Sequence, residues 1–379
     1  MHETGRIFVD GPNLILKVGE QCLVDPYYTV ESLRYYAPLP YGAVHPERPE
    51  RTALIYASLE ATGLLEELRQ VSPEAISDSL LATVHQPDYI AAARHLAQTG
   101  GGCLGEGTLL SSRSYEIARL SAGAGITAAR KILAGELKSA FVLSRPPGHH
   151  ARQHQAAGFC IFNNVALLTH FWLEQKPKDR VLIIDWDVHH GDGTQSFFYE
   201  DPQVFYLSLH QYGPPDLYPG TGAVEETGAG EGLGFTVNVP LPGKAGDKLY
   251  LEVFEELVPA IVAQFQPNLI LVSAGQDGHF NDLNQLYLWD PSGGMALTAQ
   301  CYHRLTQTVR QLAETYCDGN YMLLLEGGYD LRNLSNSVVN CICAMLGLPE
   351  MVTEQLPANL AVVNEGASAI IPRVRQLLG

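Results

Sequence analysis

The chain has 379 residues, 46% of them hydrophobic, enough for one large core or at most two domains. A net charge of −17 argues against direct nucleic-acid binding, which needs a basic surface, and is compatible with cationic substrates or with a plain solubility role. No apolar run approaches the length that crosses a bilayer, MHETGRIFVDGPNL lacks the basic and apolar regions of a secretory signal, and seven cysteines over this length do not read as a disulfide framework. The expected setting is a reducing one, either cytoplasm or an organelle interior after loss of a transit peptide, and not a secreted one.

Residues 1–43 are weakly patterned and rich in Tyr and Pro, and are expected to pack on the body as an extension or to shape a pocket rim. Arg51–Leu68 predicts an amphipathic helix, and Ser114–Ala134 a second one with Ala and Gly on a closely packed face. Apolar runs at Ala140–Ser144, Val181–Asp185, Val204–Ser208, Leu269–Ser273 and Tyr321–Leu325 predict short buried strands. Helical patterns between them predict βαβ units and a parallel sheet. Residues 349–379 read as a loop and a closing amphipathic helix. No internal repeat is visible, and the whole chain is expected to form one domain with its motifs in residues 44–348.

The chemistry collects where these apolar runs end. VLIIDWDVHHGDG (Val181–Gly193) passes from a strand pattern into Asp185, Asp187, His189 and Asp192. Side chains two apart share a face of an extended chain, so Asp185, Asp187 and His189 are expected on one side. A carboxylate and an imidazole so placed suit Zn²⁺ or a similar divalent ion. SRPPGHHA (Ser144–Ala151) adds His149 and His150, LVSAGQDGHF (Leu271–Phe280) adds Asp277, and LLLEGGYD (Leu323–Asp330) adds Tyr329. In open parallel sheets functional groups gather beyond the carboxyl ends of the strands, so one site is expected. A purely structural role for Asp187, His189 and Asp277 would leave ionisable groups at apolar strand ends in need of a partner.

With these stretches in hand, the chain resembles the histone deacetylase superfamily of zinc amidohydrolases, which also includes acetylpolyamine amidohydrolases and acetoin-utilisation proteins. The matching motifs are HPERPER (His45–Arg51), RPPGHHA (Arg145–Ala151), GFCIFNNVA (Gly158–Ala166), DWDVHHGDGTQ (Asp185–Gln195), SLHQYGPPDLYPGTG (Ser208–Gly222), SAGQDGH (Ser273–His279) and LEGGYD (Leu325–Asp330). The resemblance implies an arginase-like three-layer α/β/α fold with a mostly parallel central sheet. It implies one catalytic Zn²⁺ on Asp187, His189 and Asp277, although ferrous iron also suits those ligands. It implies His150 as general base and then acid, His149 as an electrostatic partner, Asp185 and Asp192 as their carboxylates, and Tyr329 as donor to the oxyanion. Two roles compete for Asp185, since the family also holds K⁺ beside this position. Asp185, Asp187, His189, Ser208 and Leu209 match that second site. Gly158, Phe159, Leu217 and Tyr218 match the walls of a narrow acyl-lysine tunnel. Cys160, His45, His190, His210 and His279 are expected to be structural.

Three departures bear on substrate. Gln276 stands where the family usually has Phe, Asn284 stands where peptide deacetylases carry an apolar residue and polyamine-selective relatives carry Glu, and Gly105-Glu106-Gly107-Thr108 lacks the Asp that grips a peptide backbone. The leading expectation is hydrolysis of an N-acetyl amide, on protein acetyl-lysine or on a small acetylated amine. A small-molecule amidohydrolase acting on an acetylpolyamine or an N-acetyl arylalkylamine is the alternative. An arginase-like ureohydrolase and a non-catalytic acetyl-ligand module stand further off. No membrane partner is expected, and the sequence is silent on oligomeric state.

Overall fold

The computed structural model describes residues 7–10, 13–17, 45–213, 217–282 and 294–378. In chain order the strands are β1 (Ile7–Asp10), β2 (Asn13–Lys17), β3 (Arg69–Gln70), β4 (Gly101–Gly105), β5 (Thr108–Ser111), β6 (Ser139–Leu143), β7 (Val181–Asp185), β8 (Val204–Gln211), β9 (Thr236–Leu241), β10 (Leu269–Ala274) and β11 (Tyr321–Leu325). Nine of them form one sheet in the order β1-β3-β2-β6-β11-β10-β7-β8-β9, while β4 and β5 pair separately. From β2 to β9 every neighbouring pair is parallel. The described part of the N-terminal extension is therefore sheet edge, with β2 beside β6 and β1 antiparallel to β2.

Both faces of the sheet are buried, as parallel sheets require. In β7, Leu182 and Ile184 join the core on one face and Val181 and Ile183 the core on the other; β10 and β11 alternate in the same way. Helices Glu50–Ala61, Asp247–Phe265, Ala299–Tyr316 and Leu331–Leu346 contribute to the first core, and Pro87–Gln98, Ser114–Leu133 and Asn164–Gln175 to the second. This is the expected three-layer α/β/α arrangement of the arginase-like fold. The helix Ser114–Leu133 is packed as closely as its Ala and Gly content predicts, since a Cβ on Gly123 would sit 1.8 Å from the Glu74 carbonyl oxygen. The first predicted helix is shorter than its apolar pattern. It ends at Ala61, Gly63 turns left-handed (φ 75°), and a 3-10 turn covers Leu64–Glu67.

Register aligns the strand ends that matter. Ser273 of β10 lies beside Asp185 of β7, which lies beside Ser208 of β8, and Ala274 lies beside Leu325 of β11. The loops after β6, β7, β8, β10 and β11 thus leave the same edge.

A buried ionic cluster ties these loops to the first helix. Arg145 donates to both carboxylate oxygens of Glu47 (2.8 and 2.6 Å), and fully buried Arg51 donates to Glu47 Oε1 (3.3 Å). Arg51 also donates to the carbonyls of Glu326 (2.5 Å) and Gly328 (2.6 Å), so one guanidinium holds the turn before Tyr329. Burial opposes ionisation of Glu47, but Arg145 and Arg51 outweigh it and hold its carboxyl at about 2. A folded value below the ordinary one means that this stabilisation is complete above the usual carboxylate range and is lost as pH falls toward about 2. Glu47→Gln, which leaves both guanidiniums without their counter-charge, is expected to cost about 3–5 kcal/mol in urea unfolding at neutral pH. The deficit should shrink by about half or more near pH 3; a deficit of the same size at both pH values would contradict the assignment.

Candidate active site

The facing alternation of β7 outlives the strand. Trp186 and Val188 continue into the core of Leu182 and Ile184, which leaves Asp185, Asp187 and His189 on the other side. Strand geometry ends at Asp185, however, and local hydrogen bonds complete the turn. Asp187 Oδ1 accepts from His189 N–H (3.0 Å) and lies 3.1 Å from His189 Nδ1, while Oδ2 accepts from Gly327 N–H (2.9 Å). Asp277 Oδ1 accepts from Val188 N–H (3.0 Å). Its Oδ2 makes no hydrogen bond among the described residues and lies 3.3 Å from His189 Nδ1.

Donor atoms of Asp187, His189 and Asp277 all lie within 4.8 Å of one another, with both aspartates fully buried. Burial pushes Asp277 up, with Asp187 adding to the push; for Asp187 burial is outweighed by His149 and His189, which hold it well below the usual range. Two buried carboxylates and one imidazole, with a carboxylate oxygen lacking a hydrogen bond, fit a divalent cation. Glycines keep the space clear: a Cβ on Gly275 would lie 2.1 Å from Asp187 Oδ2, and one on Gly327 2.0 Å from Asp277 Oδ2.

The rings of His149 and His150 lie tilted at 45° with centroids 3.9 Å apart, and each has its own carboxylate. His149 Nδ1 lies 3.2 Å from Asp185 Oδ2, which also accepts from Tyr206 O–H (3.2 Å). His150 Nδ1 lies 2.7 Å from Asp192 Oδ1, and Asp192 Oδ2 accepts from Arg152 Nε–H (2.8 Å) and Nη2–H (2.5 Å). These surroundings drive the two imidazoles apart. Burial pushes His150 down to about 4, with His149 adding to it. Burial also acts against charge on His149, but Asp187 and Asp185 outweigh it and push His149 up to about 10. A neutral imidazole beside a charged one is the division of labour expected of a base and an electrostatic partner.

Tyr329 is buried, with the Arg51 guanidinium 4.8 Å from its ring centroid and Phe159 edge-on at 5.8 Å. Tyr218 stands edge-on to His150 (5.0 Å) and His189 (6.1 Å), next to buried Leu217. Phe159 thus borders the site on the tyrosine side and Tyr218 on the histidine side. Gly158 must be glycine here: a Cβ would lie 2.3 Å from His150 Cδ2. Phe159 is itself left-handed (φ 68°). Exposed Glu106 sits at this rim, its carbonyl accepting from Gly158 N–H (2.9 Å).

Ser208 is beside Asp185 in register, its hydroxyl 2.9 Å from His210 Nδ1, and the Leu209 carbonyl accepts from Tyr250 O–H (3.2 Å). Gln276, expected from the sequence beside the metal ligand Asp277, is fully buried, and its amide donates to the Ala274 carbonyl (3.1 Å). Asn284 lies outside the described residues. Three further histidines are tied into hydrogen bonds: His190 joins Thr221 and Gln195, His210 joins Ser208 and Gly222, and His279 joins Glu354.

Sequence reasoning missed three supporting groups. Glu326 Oε2 accepts from the amides of Gly148 (2.6 Å) and His149 (3.2 Å) and so holds the His-His turn. Asp282 accepts from the amides of Tyr329 (2.8 Å) and Asp330 (2.9 Å) and holds the tyrosine turn. Arg152 orients Asp192. The only available signal was an acid directly after an apolar run at Glu326.

The chain is similar to known proteins over most of its length. The family model described as Histone deacetylase domain matches residues 45–345. The chain is 40% identical over 306 residues to a probable deacetylase of Archaeoglobus fulgidus, covering 80% of this chain and 82% of that one. It is 38% identical over 290 residues to a histone deacetylase-like amidohydrolase of Pseudomonas aeruginosa, covering 76% and 74%. It is 37% identical over 326 residues to histone deacetylase 10, chloroplastic, of Oryza sativa subsp. japonica, covering 81% and 71%. Among solved structures, the HDA15 HD domain matches with a TM-score of 0.78 at 34% identity over 92% of each chain. By its sequence, its fold and this family match over most of its length, the chain belongs to the histone deacetylase family of hydrolases acting on acetylated amides.

Proposed function

We propose that this chain is a zinc-dependent deacetylase that hydrolyses an N-acetyl amide, either acetyl-lysine in a protein or a small acetylated amine, to acetate and a free amine. The observation that carries the reading is the placement of His150, bonded to Asp192, beside both the Asp187–His189–Asp277 donor set and the ring of Tyr218, with Tyr329 beside Arg51 and Phe159. Zinc on those three residues would supply a Lewis acid for the acetyl carbonyl and acidify water.

The protein's own groups do the rest. His150 accepts a proton from the attacking water and returns it to the departing amine, with Asp192 fixing its tautomer and Arg152 holding Asp192. Tyr329 donates its hydroxyl to the carbonyl oxygen as negative charge grows there. His149, held by Asp185, balances charge beside the reacting atoms. Phe159, Gly158, Leu217 and Tyr218 enclose the acyl chain and exclude water. A structural K⁺ belongs to the same proposal, at Asp185, Ser208 and Leu209 with the backbones of Asp187 and His189; the side-by-side register of Asp185 and Ser208 supports it.

One observation favours the small-amine reading: the rim residue at the loop after β4 is an exposed Glu106 flanked by glycines. The ureohydrolase and binding-module readings leave His150 and Tyr329 without a purpose. No described helix is long and apolar enough to cross a membrane, and a reducing interior is part of the same reading.

Tyr329→Phe is expected to lower kcat about 10²–10³-fold with zinc content unchanged, the size associated with one oxyanion donor; full turnover would refute the assignment. In kcat/KM measured on an acetyl-lysine peptide against an acetylpolyamine and an acetylated arylalkylamine, preference for the peptide by about tenfold, or 1.4 kcal/mol, establishes a protein deacetylase. The reverse preference makes the chain a small-molecule amidohydrolase.

A further inference from the structure

A second cluster of donor atoms lies beside the first, and hydrolysis leaves part of it unused. A ring nitrogen of His149, the Cys160 thiol and a Glu326 carboxylate oxygen lie within 4.8 Å of one another, and all three residues are buried. They come from separate stretches, the loop after β6, the GFC turn and the end of β11, so chain proximity alone does not explain the cluster. His149 Nδ1 is committed to Asp185 at 3.2 Å, which leaves Nε2, 3.8 Å from Asp187 Oδ2, as the nitrogen for a cation. Glu326 Oε2 is committed to the amides of Gly148 and His149, but Oε1 makes no hydrogen bond among the described residues. The thiol reaches the Gly158 carbonyl at 3.4 Å, a weak bond for so buried a group. A buried carboxylate oxygen without a donor bears its desolvation cost with nothing in return.

We propose that His149, Cys160 and Glu326 form a second, weaker site for a thiophilic divalent cation such as Zn²⁺, and that filling it inhibits the enzyme. Nitrogen, sulfur and carboxylate oxygen are the donors that zinc selects. The cation takes the thiolate and the deprotonated Nε2 of His149 as ligands, so the thiol proton and the Nε2 proton both leave to solvent and binding strengthens as pH rises. Affinity is lower than at Asp187, His189 and Asp277 because those two protons must be displaced and because a cation already on the aspartates repels a second. A cation on His149 Nε2 removes that imidazole from the reacting atoms, which is why occupancy inhibits. The inhibition, though not the site, rests on the hydrolytic reading above.

The test titrates chelator-stripped full-length protein with Co²⁺ while absorbance and turnover are followed together. A first equivalent without a thiolate-to-cobalt charge-transfer band is expected, then a second with that band and a parallel loss of turnover. Cys160→Ala should lose the band and the second equivalent, keep the first, and resist excess Zn²⁺. If that variant does not fold, the spectrum of the unmodified chain decides alone. A second equivalent without the band, inhibition by excess metal that survives in Cys160→Ala, or turnover that rises with the second equivalent would overturn the proposal. Failure of the hydrolytic reading would look different, with no turnover at any metal level and the band still reporting on the site.

Discussion

Asp185, Asp187, Asp277 and Glu326 bury their carboxylates together at the ends of β7, β10 and β11, and the surrounding architecture follows from that crowding. Each group loses most of its hydration, and like charges this close raise one another's cost of ionisation. The chain answers in three ways. Main-chain amides of Val188, His189, Gly148 and Gly327 point into the cluster. Arg51 brings a guanidinium beneath it by way of two carbonyls. His149 sits against both Asp185 and Asp187 and is pushed strongly toward its charged form. Asp277 and Glu326 remain above their ordinary range even so, with burial pushing Glu326 up to about 7. A dication is the natural completion of such a cluster.

The same crowding explains why the loops are glycine-rich where they are. Gly275 and Gly327 have no room for a side chain because aspartate oxygens occupy that space, and Gly158 has none because His150 does. The parallel sheet supplies the convergence: register puts the ends of β7, β8 and β10 side by side, so residues far apart in sequence meet within a few ångströms. His150 is kept apart from the acidic cluster. His150 has Asp192 and Arg152 to itself, which lets its neighbour carry positive charge while it stays neutral.

Much of this was legible in the sequence because apolar runs ending in ionisable groups have no reason to exist in a core. Val181–Asp185 and Tyr321–Leu325 coincide with their strands, and the period-two facing of Asp185, Asp187 and His189 persists beyond the strand end. What escaped was long-range. Arg51 read as the start of a helix, and its partners at Glu326 and Gly328 lie 275 and 277 residues away. Asp282 and Glu326 serve main-chain amides, an interaction that leaves no pattern in side-chain types. Gln276 reads only as a departure from the family's Phe, whereas its amide bonds the Ala274 carbonyl two residues back, a contact that residue type does not announce. The N-terminal strands lacked periodicity long enough to read, and the pairing of β2 with β6 and of β1 with β2 supplies the order that their own pattern does not.

The central claim is that a divalent cation completes the Asp187–His189–Asp277 cluster, and thermal unfolding tests it most directly. Chelator-stripped protein and protein with one equivalent of Zn²⁺ should differ clearly in Tm, since a ligand held at about a thousand times its Kd adds roughly 4 kcal/mol to the native state. Asp277→Asn should abolish that shift while leaving the stripped protein at least as stable, because it removes a carboxylate that burial disfavours. A Tm that does not respond to zinc, or a shift that survives in Asp277→Asn, would contradict the account.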